Sequence, residues 1–263
     1  MTGLWILLGG VAAVVALVVW SASRKRRYRA SLRAAGLSAS ESERVGEMFP
    51  LWRKVPDETR GLAAGWMRVF LDEKRFEACG GLAEVTADMK LAVAAPACLL
   101  IAHRPQDYYE KLRSILIYPD AYRDVSGEDV RLGESWGTGS VVLSWKSVIA
   151  GESNPEDGLN VVLHEFAHQL DQEDGAADGV PDFEDPLDYG RWSRAFAPAY
   201  EAFCERVNAG KRTVLDAYGG ESPAEFFAVA TETFFERPKA LREEEPEIYE
   251  QLQRFYGMDP SGW

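Results

Sequence analysis

The sequence predicts an α+β domain carried behind a single N-terminal transmembrane helix. Three observations predict it. Only two runs have the β-branched, turn-bounded character of strands, SILIYPD at 114–120 and GSVVLSW at 139–145, and they stand among many segments of helical period. A few short strands among helices suit a small mixed sheet rather than a doubly wound one. The third observation is the uncharged run LWILLGGVAAVVALVVW at 4–20, which sits at the short end of what spans a bilayer.

Within that run Trp5 and Trp20 are placed as interfacial anchors, and RKRRYR follows at 24–29. Positive charge on the C-terminal side predicts the N-terminus outside and the body in the cytoplasm. A cleaved signal peptide is the rival, with SAS at 21–23 as its cleavage site, but Met1-Thr2-Gly3 carries no basic side chain. The expected organisation is an anchor over 1–23, a basic juxtamembrane linker over 24–45 and a single body over 46–263. Six of the 29 basic residues fall in the first forty positions, whereas all 42 acidic residues come from Glu41 onward. So acidic a body repels nucleic acid, which excludes that class of partner. Cys79, Cys98 and Cys204 show neither metal-ligand spacing nor a disulfide framework and fit a reducing compartment.

Residues 30–55 read as a short helical lead-in ending near Pro56. Asp57 caps a helix running to about Phe76, with Leu62, Trp66 and Phe70 at four-residue spacing. Thr86 caps the next, ADMKLAVAAPACLLIA, which Pro96 should kink by removing a helix hydrogen bond. Residues 173–190, rich in Asp, Gly and Pro, read as a surface loop. A helix follows from about Arg191 to Val207, and a last helical region begins after Ser222.

The segment VVLHEFAHQLD at 161–171 holds two of the three histidines, His164 and His168, with Glu165 directly after the first. Asn154-Pro155-Glu156-Asp157 reads as its helix start: a cap, a first-turn proline and acids at the positive dipole end. Winding from there places Leu159, Leu163, Phe166 and Leu170 on one apolar stripe and the histidines and Glu165 opposite. A His pair four residues apart chelates one ion, and the intervening glutamate can act as general base. A solvated polar face would account for the polarity but not for this combination.

Three residues compete for third ligand. His103, in AHRPQD, lies in a loop at a helix end. Asp174 occupies the place of the last ligand in the longer His-Glu-x-x-His-x-x-Gly-x-x-His pattern, but Asp171 stands where that pattern needs its turning glycine. Glu225 lies in ESPAEFFAVATETFFERP, where Ser222-Pro223-Ala224-Glu225 is also a capping box. Glu225, Glu232 and Glu236 share one helix face. Spacing alone does not choose between cap and ligand.

NVVLHEFAHQLD, DAYGGESPAEFFAVATETFFE and FYGMDP, with the earlier GLAEVTADMKLAVAAPACLL, ILIYPDAY and VVLSWKSV, resemble the zinc-dependent peptidases of the MtfA (Mlc titration factor A) family from about Leu51 to Pro260. The resemblance implies a zincin-like α+β metallopeptidase domain, related to the catalytic domain of anthrax lethal factor. It implies Zn2+ held by His164, His168 and Glu225, with Glu165 as base and Tyr218 placed as donor to a developing oxyanion. The family's best-known member is soluble and cytosolic, so the N-terminal run sets this chain apart. The family name reflects binding to a transcriptional repressor, and no motif here carries that partner over.

Three protein ligands leave the fourth zinc position open, as in a catalytic site. The strand at 140–145 would offer an edge for an extended peptide. Asp171, three residues after His168, is nominated as acceptor for an imidazole N–H. The leading function is hydrolysis of a peptide or protein. A regulatory binding protein that sequesters a transcriptional regulator, and a hydrolase of non-peptide substrates, are the alternatives. An intact Glu165 argues against the former.

Overall fold

A four-stranded sheet and the helices packed on it place the motif helix between a strand edge and a second buried helix. The structure, a computed structural model, describes residues 2–104, 109–123, 130–131, 133–136 and 139–263, with side chains from residue 14 onward except at 122–123, 130–131 and 136. The strands are β1 (Arg75–Ala78), β2 (Ser114–Tyr118), β3 (Tyr122–Arg123), β4 (Val130–Arg131), β5 (Gly133–Trp136) and β6 (Ser140–Ser144). The main sheet has the order β1-β2-β6-β5, and β3 and β4 form a separate ladder. β1, β2 and β6 run parallel, whereas β5 lies antiparallel to β6 with Glu134 opposite Val142. The two strands read from sequence are thus the two central ones, β2 and β6. Ile115, Ile117, Val141 and Leu143 supply their fully buried side chains.

Helix α1 runs continuously over Thr2–Ala35 and ends at Gly36, whose φ of 56° is the left-handed conformation glycine tolerates best. The span expected over 4–20 falls largely on residues whose side chains lie outside those described. Among the described residues no helix is long and apolar enough to cross a membrane, so the fold gives the anchor no support. The basic stretch is helical, and its end docks on α3 (Asp57–Glu73). Arg29 makes a two-pronged ion pair with Glu73 at 2.7 and 2.8 Å, and the Arg33 guanidinium stacks 4.0 Å above the Trp66 ring. In chain order α2 (Ala39–Met48) comes between α1 and α3, started by a Ser38–Glu41 capping box.

α3 stops at Glu73 rather than near Phe76, and the chain goes straight into β1. Lys74 enforces the change: its backbone is extended, and its ammonium donates to the carbonyls of Tyr109 and Leu112 at 2.8 Å each. α4 (Ala87–Leu100) starts at Thr86 as expected and contains Pro96. It is apolar nearly all round and buried from Leu91 to Leu100, as a central helix must be.

α5 (Trp145–Ser153) leads to α6 (Val161–Asp171), the motif helix. Its start is not at Asn154–Asp157. Asn160 is the cap, its side chain accepting from Val162 N and Leu163 N at 3.1 Å, while Asp157 accepts from Asn154 and Leu159 in a turn with Gly158 at φ 83°. Leu159 is accordingly outside the helix and 50% exposed, and Val162, Leu163, Phe166, Ala167 and Leu170 form the buried stripe. The Phe166 ring meets Phe70 and Tyr109 at centroid distances of 5.7 and 5.1 Å. Truncating so buried a phenylalanine costs about 3–5 kcal/mol.

α7 (Pro186–Asn208) begins earlier than expected, at Asp185, and α8 (Pro223–Glu236), α9 (Pro238–Glu244) and α10 (Pro246–Tyr256) complete the chain. A stack of Trp192 on Phe196, 3.8 Å apart, packs with Phe227 and Phe255 and fixes α8 against α7 and α10. α8 in turn lies along α6.

Candidate metal centre

α6 sets two imidazoles one turn apart, and the first turn of α8 brings a carboxylate to them. His164 Nε2 lies 3.2 Å from His168 Nε2, and Glu225 Oε2 lies 2.9 Å from the former and 3.3 Å from the latter. Every donor atom of the trio falls within 4.8 Å of the others. Ligands about 2.0–2.1 Å from one tetrahedral zinc stand roughly 3.3 Å apart, so the trio fits such an ion in both donor type and spacing.

The two possible uses of Glu225 prove to be separate. Its backbone N–H is capped by Ser222 Oγ at 3.2 Å, while its carboxylate turns to the histidines. Asp174 and His103 are elsewhere engaged. Asp174 is an exposed turn residue accepting from Ala176 N at 2.8 Å, and His103 Nε2 meets Thr59 Oγ1 at 2.8 Å.

The polar face of α6 is covered rather than solvated, by α8 on one side and β5 on the other. Burial pulls the His164 pKa down, but hydrogen bonds to Glu225 and Glu232 outweigh it and hold it well above the usual value. Burial pushes Glu225 up, and its bonds from the same two histidines overcome that and hold it well below the usual carboxylate range. A pocket that attracts a proton in this way also attracts a metal cation.

Glu165 is 5% exposed, and burial pushes its pKa up to about 7 against the pull of His164 and His168. It sits against the backbone of β5, where a Cβ on Gly133 would collide with its carboxylate. Tyr218 lies in a 3-10 turn, Ala217–Gly220, capped by Asp216. It is 40% exposed, with its ring centroid 5.9 Å from that of His164. His164, Glu165, Tyr218, Leu159, Val161 and Glu232 line one cavity of about 670 Å³.

Asp171 is fully buried, and its Oδ2 accepts from Gly179 N at 3.1 Å, which ties the following loop to α6. Burial pushes its pKa up to about 6. The carboxylate that meets His164 Nδ1 is instead that of Glu232, whose Oε1 stands 2.8 Å away. In the sequence Glu232 shares a helix face with Glu225, and nothing in its spacing from the histidines marks it as part of the site. Its position seven residues after Glu225, two turns along the same face, was the available signal.

A family model described as glucose-regulated metallo-peptidase M90 matches residues 20–257. The chain is 36% identical to an uncharacterized protein of Synechocystis sp. over 228 residues, 82% of each chain. It is 32% identical to Mlc titration factor A of Edwardsiella ictaluri, over 81% of this chain and 85% of the relative. Mlc titration factor A of Serratia proteamaculans is 32% identical over 67% and 71%.

Proposed function

The chain belongs to the M90 family of metallo-peptidases, and from that premise we propose that it is a zinc-dependent peptidase with Glu165 as its general base. The convergence of His164 Nε2, His168 Nε2 and Glu225 Oε2, with His164 and the buried Glu165 lining one open cavity, carries the proposal. Zinc held by these three would polarise a scissile carbonyl and acidify a water.

The chain's own groups supply the rest. Glu165 takes a proton from the attacking water onto its carboxylate and delivers it to the departing amine nitrogen. Its burial beside the cavity keeps the carboxylate within reach of both transfers. Tyr218, which lines the cavity, donates a hydrogen bond from its hydroxyl to the carbonyl oxygen as negative charge develops there. β6 is covered on its outer side by β5, so of the sheet's two edge strands, β1 and β5, it is β5, against which Glu165 packs, that would pair with an extended peptide.

For location we propose a single anchor with the body in the cytoplasm, supported by the uncharged 4–20 run and the six basic residues over 24–33. A C-terminal reporter active only outside the cytoplasm would contradict that orientation.

The activity is tested on the full chain with a mixed-sequence peptide library. Stoichiometric zinc, cleavage, loss on chelation and return with added zinc are expected. A chain that holds zinc and cleaves nothing contradicts the peptidase; one that holds no metal contradicts the centre.

A further inference from the structure

His164 is engaged on both ring nitrogens. Nε2 faces Glu225 and His168, and Nδ1 faces Glu232 Oε1 at 2.8 Å. Glu232 is 4% exposed, and its other oxygen accepts the N–H of Asn160, the residue that caps α6. One turn further along α8, Glu236 Oε2 accepts from Gly158 N and Leu159 N at 3.0 and 3.1 Å, and its Oε1 accepts from Asn160 Nδ2 at 3.1 Å. Both carboxylates therefore hold Asn160, but they differ in their second partner. Glu232 alone reaches the ring nitrogen of His164; Glu236 alone holds Gly158 and Leu159, the segment that carries Leu159 to the cavity wall.

An imidazole offers Nε2 to a metal only when its proton resides on Nδ1, and an acceptor there fixes both the tautomer and the ring plane. Resting on the trio as the metal centre, we propose that Glu232 is the positioning residue of that centre. It keeps the His164 proton on Nδ1 and the ring aimed inward, while Glu236 holds the cavity wall without setting metal affinity. Glu232 faces two N–H donors with two acceptor oxygens. A glutamine has only one, so Glu232→Gln cannot satisfy both.

The test is the zinc dissociation constant of the full chain, measured by competition with a chromogenic chelator, in wild type, Glu232→Gln and Glu236→Gln. Glu232→Gln should bind zinc about 10–100-fold more weakly. Glu236→Gln should match wild type in zinc affinity while its Leu159 amide exchanges faster. Equal affinity in Glu232→Gln and wild type overturns the assignment, as does equal weakening in both variants, which would make the carboxylates one scaffold. A wild type with no affinity for zinc overturns the centre itself and this assignment with it. Should Glu232→Gln not fold, long-range ¹H–¹⁵N correlation on zinc-loaded wild type decides. A protected His164 Nδ1–H with metal-shifted Nε2 is expected; zinc on Nδ1 contradicts it.

Discussion

Gly133 of β5 and Glu165 of α6 meet with no room for a side chain on the strand: a Cβ at Gly133 would overlap the glutamate's carboxylate. The edge strand thereby fixes Glu165, the proposed base. Gly133→Ala should leave His164, His168 and Glu225 undisturbed, so zinc content should match wild type. Displacing a catalytic group by about 1 Å costs roughly a hundredfold, and kcat/KM should fall on that order. Unchanged kcat/KM would show that β5 does not position Glu165.

Glu225 turns its carboxylate to the histidines, while its backbone N–H is capped by Ser222; the proposed centre needs the carboxylate and not the cap. Glu225→Gln should therefore keep the helix start and thermal stability of the metal-free chain, yet lose stoichiometric zinc and activity together. Full zinc and activity in this variant would return Glu225 to a capping role.

Gly179 has φ 78°, and a Cβ there would run into the backbone of Pro223, at the start of the helix that carries Glu225. Its N–H is also the donor held by Asp171. Gly179→Ala should destabilise the chain by at least about 1 kcal/mol from the left-handed conformation alone. It should also weaken zinc binding by shifting the first turn of α8. Chemical denaturation and zinc titration check both effects, and loss of neither would remove this loop from the support of the site.

The Arg29–Glu73 pair docks the end of α1. The hydrogen bond from Arg29 outweighs burial and holds the Glu73 pKa below its ordinary 4.5. Folding therefore gains from this group while both states are ionised, above pH 4.5. The gain disappears as pH falls through the lowered native value, because the unfolded state takes up the proton first. The stability difference between wild type and Glu73→Gln should be constant near neutrality and shrink in that acid window. A difference independent of pH would mean the pair contributes nothing by charge.

Features whose physical cause is local were legible in the sequence. Thr86 marked the start of α4, the runs at 114–120 and 139–145 gave the two central strands, and His164, Glu165 and His168 stood out by spacing and residue type. What escaped depends on distant partners. Asn154-Pro155-Glu156-Asp157 has the local chemistry of a helix start, but the residues that follow it, Gly158 and Leu159, are held in a turn by Glu236, 78 positions away from Gly158. β1 is four residues long and mostly exposed, so its pairing with β2 leaves little mark on the pattern of apolar residues. Glu225 was ambiguous because cap and ligand need the same residue at the same place. Glu232 was visible only as part of an acidic stripe until α8 was seen lying along α6.

The central claim is that Glu165 works as a base and not as a ligand, and Glu165→Gln measures that directly. Glutamine keeps nearly the same volume and leaves His164, His168 and Glu225 in place, so zinc should remain stoichiometric. It cannot take the water's proton, and loss of a general base costs about a hundredfold to ten-thousandfold in rate. The measurement is zinc content and peptide hydrolysis of Glu165→Gln beside wild type. Retained zinc with hydrolysis reduced by that factor is the predicted result; hydrolysis at the wild-type rate with zinc in place would contradict it.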